Sequence, residues 1–378
     1  MNTSPLPPGT APTTDRMALI ESARRAVLSE GGLHAAPWVE PWIDRSWRRC
    51  LAQGFRPQQA LAFQAVSAPA THRAIEASRP LLHAAAPVIQ SLARAMADTR
   101  YFAILTDAQG VVIDVNGPVD RHNPQASLIA RVGVDLSEQA VGTTAIGATL
   151  AELQPVWLHR GEHFFDDTGI YSCAGAPLFG PDGRCVGMLD LTGIHVAERP
   201  ALKHLVAQSA RRIENALTLA QPHQLLLRIH WPGSSPDEDS AGLVCVDANG
   251  FVTGTNRAAA DMLTLAPGAP WPHCSDVFAV PFETLFDDAR SARPARELPL
   301  WSGLRLAVWS RLSSDRAQPQ NPPPARHTSL PLKDVETALI RKAVEDARGN
   351  VMEAARVLGI SRATVYRKLG SKRPGGPA

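Results

Sequence analysis

Apolar positions recur along the chain with two periods, and the changes between them divide it into regions. From Asp15 to Ser29, the residues Met17, Ile20, Val27 and Leu28 make a helical stripe that Gly31-Gly32 ends. Pro41 then suits a first helical turn, and Trp42, Ile43, Trp47, Cys50 and Leu51 recur at helical spacing, a tryptophan-rich stripe that core packing explains. Thr71 to Ala97 is helical again, with Leu81, Leu82, Val88, Ile89, Leu92 and Met96 inward and Pro80 and Pro87 at starts or kinks. The period then falls to two. Tyr101 to Thr106 and Val111 to Val115 predict a hairpin around Asp107-Ala108-Gln109-Gly110, and Ala176 to Phe179 and Arg184 to Leu191 predict another around Pro181-Asp182-Gly183. An amphipathic helix follows from Pro200 to Leu219. A third hairpin joins Gly242 to Val246 with Phe251 to Thr255 around Asp247-Ala248-Asn249-Gly250, and Asn256 caps a helix from Arg257 to Leu263. Trp301 to Ser310 is the remaining strand. The pattern predicts an α+β fold, an antiparallel sheet with helices on one side.

Ser313 to Thr328, with Pro319, Pro322, Pro323 and Pro324, is a semi-rigid linker by composition. Beyond it Pro331 starts a helix carrying Leu332, Val335, Leu339, Ile340, Ala343 and Val344, more apolar surface than two further short helices can cover. Gly349 to Leu369 then spells helix, tight turn, helix: Asn350 and Glu353 make a capping box, Gly359 ends the first helix, and Ser361 caps the second. Ala354, Ala355, Leu358, Ile360, Val365 and Leu369 fall inward, which leaves Arg362, Thr364, Tyr366, Arg367 and Lys368 outward.

Charge separates this hairpin from an ordinary one. From Arg348 onward the cations Arg348, Arg356, Arg362, Arg367, Lys368, Lys372 and Arg373 face one acid, Glu353, an asymmetry suited to DNA phosphates. Over all 378 residues the net charge is only +2, so acids elsewhere mask the basic end. Composition, 44% hydrophobic and 20% charged, describes folded cores. Cys50, Cys173, Cys185, Cys245 and Cys274 are scattered with no Cys-x-x-Cys pair, which predicts reduced thiols in a bacterial cytoplasm. No apolar run approaches a membrane span, and Met1 to Thr14 lacks the order of a signal peptide, which makes it a flexible tail.

Two clusters invite chemistry. His159, Glu162, His163, Asp166, Asp167 and Cys173 offer nitrogen, oxygen and sulfur ligands, but the β-like Val156-Trp157-Leu158 and Gly161 argue against one helix presenting both histidines, and a polar network is the better expectation. Gly142-Thr143-Thr144-Ala145-Ile146-Gly147 lacks the lysine of a phosphate loop, so it is expected to be a turn into a helix. With no nucleophile and base in a supporting context, neither an enzyme nor a cofactor is expected.

The segment Gly349-Asn350, Ala354-Ala355, Leu358-Gly359-Ile360-Ser361-Arg362, Thr364 and Tyr366-Arg367-Lys368-Leu369 resembles the Fis-type helix-turn-helix family. That resemblance implies base reading by Arg362, base or backbone contacts from Ser361, Thr364, Arg367 and Lys368, and a dimer interface on the stripe from Leu332 to Val344. Ser46-Trp47-Arg48-Arg49-Cys50, Val141 to Gly147, Glu162 to Phe165, Tyr171-Ser172-Cys173 and Leu189 to Gly193 resemble the GAF sensor of acetoin-catabolism regulators of the AcoR type. The region around the third hairpin looks PAS-like. The implied order is a tail at 1–14, a helical region at 15–79, a GAF sensor at 80–220, a PAS-like segment at 240–311, a linker at 312–329 and the helix-turn-helix at 330–370. The GAF resemblance implies a small-molecule effector, acetoin-like, in a pocket among Tyr101, Ile146, Trp157, His163, Phe164, Tyr171 and Cys173. Relatives of this architecture place an AAA+ ATPase with a Walker lysine and a Gly-Ala-Phe-Thr-Gly-Ala loop between sensor and DNA-binding end, and neither motif occurs in this sequence. The expectation is a dimeric, nucleoid-associated regulator that engages an inverted repeat and RNA polymerase without remodelling sigma-54 complexes. The alternative is an architectural DNA binder with a vestigial sensor.

Overall fold

The computed structural model describes residues 13–29, 38–233, 241–313 and 351–352. Helices come first. Helix α1 (Thr13–Arg24) passes into a π-helical turn at Arg25–Ser29, and α2 (Pro41–Ala52) starts on its proline and buries Trp42, Ile43, Trp47 and Cys50. Ser67 caps α3 (Ala68–Ala77), its hydroxyl accepting from Ala70 N, and α4 (Arg79–Ala95) carries Pro80 in its first turn and Pro87 inside.

Five strands then build a sheet with short helices between them: β1 (Tyr101–Asp107), β2 (Val112–Asn116), α5 (Pro124–Ile129), α6 (Glu138–Val141), α7 (Ala145–Glu152), β3 (Val156–His159), β4 (Tyr171–Phe179) and β5 (Cys185–Ile194). Their order is β2-β1-β5-β4-β3, and every pairing is antiparallel. Side chains alternate across it. Tyr101, Ala103, Leu105, Trp157, Ala174, Leu189 and Leu191 pack on α4 and on α8 (Leu202–Leu219). Phe102, Ile104, Leu158, Tyr171, Cys173 and Met188 face the core built with α2, α5, α6 and α7. Helices therefore cover both faces rather than the one expected. The physical sign is in β1 and β4, where every residue is buried, in and out alike.

A second antiparallel sheet follows α8. Its strands are β6 (Leu225–His230), β7 (Gly242–Val246), β8 (Val252–Thr255), β9 (Arg296–Pro299) and β10 (Arg305–Leu312), with α9 (Arg257–Leu263), α10 (Cys274–Val277) and α11 (Phe282–Arg290) between β8 and β9. The order is β8-β7-β6-β10-β9. If β6 is given the role of a fifth strand, this is the order of the first sheet, so the second sheet repeats the first with its last strand moved to the front. Sequence pattern expects a strand from Trp301 to Ser310; the chain instead makes β9 before that range and starts β10 only at Arg305. Trp301 and Ser302 lie in the turn between β9 and β10, and Gly303 takes φ +85° there.

The repeated Asp-x-x-Gly turns share one construction. Asp107 Oδ1 accepts from Gln109 N and Val111 N at 2.9 Å, and Asp247 Oδ1 accepts from Asn249 N and Phe251 N at 2.8 and 2.9 Å. Gly110 and Gly250 close them at φ +89° and +87°, a region that side chains disfavour. A β-carbon on Gly110 would also come within 2.9 Å of Ser137 N.

Candidate functional site

The α2 side of the first sheet holds a cavity of about 30 Å³ within about 340 Å³ of atom-free space that includes its mouth. The strands form its floor. In the ladder Ile104 lies opposite Asp190 and Cys173 opposite Thr192, and all four side chains line the cavity with Tyr171. Ile129 and Leu136 line it too, as do Thr144, Ala145 and Ile146 at the start of α7. Thr144 caps that helix by accepting from Gly147 N at 3.2 Å, so the glycine-bounded segment is the turn into a helix that its sequence predicts.

Two further elements complete the wall. A strap of irregular chain from Phe55 to Val66 crosses this face, with Leu61 N donating to Asp167 Oδ2 at 3.0 Å and Asp135 N donating to Gln64 O at 3.0 Å. Phe63 of the strap lines the cavity and stands edge-on to Tyr171, centroids 6.4 Å apart. The other element is the segment 160–168, which supplies His163 and Thr168. Arginines from α1 hold it. Arg24 donates to Gly161 O at 3.0 Å, to His163 O, to Phe164 O at 3.1 Å and to Asp166 Oδ1 at 2.6 Å, while Arg16 reaches Glu162 Oε1 at 2.7 Å.

The Ser46-Trp47-Arg48-Arg49-Cys50 motif explains itself in this setting. Ser46 Oγ donates to Glu138 Oε2 at 2.6 Å, Trp47 Nε1 to Glu162 O at 2.9 Å, and Arg49 grips Glu138 at 2.6 and 2.9 Å and Glu152 at 2.9 Å. Cys50 packs on Thr143 at 3.5 Å. The motif thus fastens α2 to the helices that shape one wall of the cavity.

Of the seven residues expected at a pocket, Ile146, His163, Tyr171 and Cys173 come together around this cavity. Tyr101 and Trp157 do not, because strand alternation turns them onto the opposite face with α4 and α8. Phe164 is buried beside the cavity and packs on Phe165 and Phe55. The same alternation divides the six potential metal ligands. His159 stacks on Trp157 and shares a hydrogen bond with Ser172 Oγ at 2.7 Å on that opposite face, while His163 and Cys173 line the cavity. Among the described residues no group of three or more His, Cys, Asp or Glu is placed to hold a metal.

Asp190 is the one ionisable lining residue among those that sequence pattern passes over. It is fully buried, and Thr192 Oγ1 donates to its Oδ2. Burial pushes its carboxyl up to about 7. Its signal was present: an acid between Leu189 and Leu191 in a strand with both faces covered has only the interior to point into. Burial also holds the His163 imidazole down at about 4, and raises the Cys173 thiol well above its ordinary range, so that cysteine is no ready nucleophile. The positions expected to touch DNA, Ser361, Arg362, Thr364, Tyr366, Arg367 and Lys368, and to pair two chains, Leu332, Val335, Leu339, Ile340, Ala343 and Val344, lie outside the described residues.

Residues 17–215, which contain the cavity and Arg24 but not Arg16, match the family described as "MimR, N-terminal domain". The chain belongs to this family. Residues 331–370 match a second family, "Bacterial regulatory protein, Fis family". The acetoin catabolism regulatory protein of Cupriavidus necator is 31% identical over 65% of this chain and 37% of its own length. The propane 2-monooxygenase operon transcriptional activator MimR of Mycolicibacterium goodii is 30% identical over 52% of this chain and 33% of its own. The chain therefore spans about a third of the length of these relatives. Among solved structures, the DhaR(N)–DhaL complex of E. coli aligns over 72% of this chain and 100% of its own, with 16% identity and a TM-score of 0.45. Among the described residues, no helix is long and apolar enough to cross a membrane.

Proposed function

We propose that the chain is a DNA-binding transcription regulator, not an enzyme, whose MimR-type region senses a small metabolite. The observation that carries this reading is the combination, in one chain, of a buried cavity with polar side chains in its wall and a Fis-family segment at residues 331–370. Relatives named as regulators of acetoin catabolism and of a propane 2-monooxygenase operon support the regulator reading. In this reading the first sheet with α4 and α8 is the GAF sensor of residues 80–220, the second sheet contains the PAS-like segment of 240–311, and residues 312–329 link them to the DNA-binding end at 330–370. Two copies pair through Leu332 to Val344 and place Arg362 and Lys368 of each in successive major grooves of an inverted repeat.

The chain acts without an AAA+ ATPase. What supports this is the content of residues 216–330, between the two family matches: a five-stranded sheet, its three helices and a proline-rich stretch, with no Walker lysine motif. Regulation then proceeds by recruiting or blocking RNA polymerase. Footprinting on the promoters beside the gene, with and without short-chain diols, ketones, aldehydes and alcohols, tests the reading. A protected inverted repeat whose affinity changes with one such compound supports it; binding that ignores both sequence and metabolite returns the protein to the architectural class. Effector-dependent transcription by polymerase lacking sigma-54, with no ATP turnover by the pure protein, tests the second half.

A further inference from the structure

The wall of the cavity is asymmetric in hydrogen-bonding sense. His163 is 1% exposed, and its Nδ1 lies 2.9 Å from Arg160 O. A carbonyl oxygen can only accept, so the proton of the neutral ring sits on Nδ1 and Nε2 keeps a bare lone pair. Asp190 is 0% exposed and has Oδ2 occupied by the Thr192 hydroxyl. Neither His163 Nε2 nor Asp190 Oδ1 has a hydrogen-bond partner among the described residues, and both residues line the cavity.

Three of the hydroxyl protons nearby are committed elsewhere, while Thr144 Oγ1, which accepts from Gly147 N, keeps its own proton to give. Thr168 donates to Phe165 O at 2.7 Å, Tyr171 to Gln125 O at 3.2 Å and Thr192 to Asp190, which leaves the Cys173 thiol to donate to Thr192 Oγ1 at 3.2 Å. His163 and, once it is ionised above about pH 7, Asp190 thus offer the cavity acceptors that need donors. Unpaired acceptors buried this deeply are costly, and a ligand that supplies the missing donors recovers that cost on binding.

Resting on the proposed sensor function, we infer that the effector is a compact neutral diol whose two hydroxyl groups donate to His163 Nε2 and Asp190 Oδ1. The same polarity rejects carboxylates, which would set a third negative or acceptor group against these two. It also ranks carbonyl compounds below the alcohols of the same skeleton, since a carbonyl oxygen has nothing to give either atom. The cavity is small, about 30 Å³ with an open mouth beyond it, which limits the ligand to a compact compound.

Three four-carbon probes that differ only in oxidation level test this with the full chain: 2,3-butanediol, 3-hydroxy-2-butanone and 2,3-butanedione, titrated calorimetrically at about pH 8.5, above the value of Asp190. Affinity is expected to fall about tenfold for each hydroxyl oxidised. Asp190→Asn, which turns an amide N–H toward the cavity while its oxygen keeps the Thr192 bond, is expected to bring the hydroxyketone level with the diol, since its carbonyl then accepts from the amide while its hydroxyl still donates to His163 Nε2, and to leave the dione below both. His163→Phe is expected to bring the diol down to the level of the hydroxyketone. The ranking in the unmodified protein needs neither variant to fold. A hydroxyketone or dione that binds as tightly as the diol overturns the inference and leaves the sensor reading standing. Absence of binding by all three overturns the inference, and the sensor reading falls with it only if the wider set of short-chain alcohols, ketones and aldehydes also fails to bind.

Discussion

Arg24 Nη2 lies 2.6 Å from Asp166 Oδ1, an ion pair between residues 142 positions apart that ties α1 to the segment carrying His163. The remaining guanidinium bonds go to three carbonyls of that segment, so one side chain from outside the sheet fixes a wall of the cavity.

Arg24→Ala is expected to cost about 3 kcal/mol, because it strands buried carbonyls as well as a carboxylate. Denaturant unfolding measures it. Arg24→Lys, which has one ammonium for four acceptors in a fork-shaped arrangement, is expected to recover less than half of the loss. Full recovery by lysine would mean that charge alone matters and that the carbonyl bonds do not.

Glu214 on α8 accepts from Phe179 N at 3.0 Å, and burial pushes its carboxyl up to about 7. The folded state therefore holds a proton that the unfolded chain releases near 4.5, so the contribution of this group is full below about pH 4.5 and is lost as pH rises through 7. Glu214→Gln keeps an acceptor for Phe179 N and removes the titration. The variant is expected to match the parent at pH 4.5 and to exceed it by on the order of 2 kcal/mol at pH 8.5, read from thermal or denaturant unfolding across that range. The opposite slope would place the carboxylate, not the acid, in the folded protein.

Cavity and opposite face are expected to respond differently to substitution. Ile146→Phe extends a ring into the cavity and should weaken the diol at least tenfold while moving stability by about 1 kcal/mol. Trp157→Phe, on the α8 side, should leave diol affinity within about twofold and cost stability instead. Titration of both variants separates the two faces.

For the DNA-binding end, Arg362→Ala is expected to relax preference at one base pair by about 1–3 kcal/mol, and Lys368→Ala to weaken all sequences alike and flatten the salt dependence. Binding to single-base operator variants at several salt concentrations reads both. Indistinguishable mutants would show that the two residues do not face base and phosphate as assigned.

Local pattern made the hairpins legible, because Asp107 and Asp247 write their turns in side-chain chemistry that sequence alone displays. The long helix α8 and the capped helix α9 were legible for the same reason, a clear period and a polar cap. Strand β6 was not. Leu225-Leu226-Leu227 is a short apolar run that fits a helix or a buried strand equally, and its pairing with β7 and β10 is fixed by residues up to 87 positions away, Leu225 with Leu312. Side-chain facing was lost in the same way. Tyr101 and Trp157 look as suited to a pocket as Tyr171 does, and only strand register decides that they turn away from it.

The position of β6 has a consequence for how the chain can be divided. This strand follows α8 by a few residues yet sits at the centre of the second sheet, hydrogen-bonded to β7 on one side and β10 on the other. A fragment that starts at Gly242 would carry four of the five strands with a slot down the middle, two facing edges of unpaired amides and carbonyls lined by Val244, Val246, Leu306 and Val308. Such a slot accepts a strand from any chain that offers one. Copies cut behind β6 would therefore capture the Leu225–His230 peptide when it is added in trans, by strand complementation, and would clump through the same groove when it is withheld.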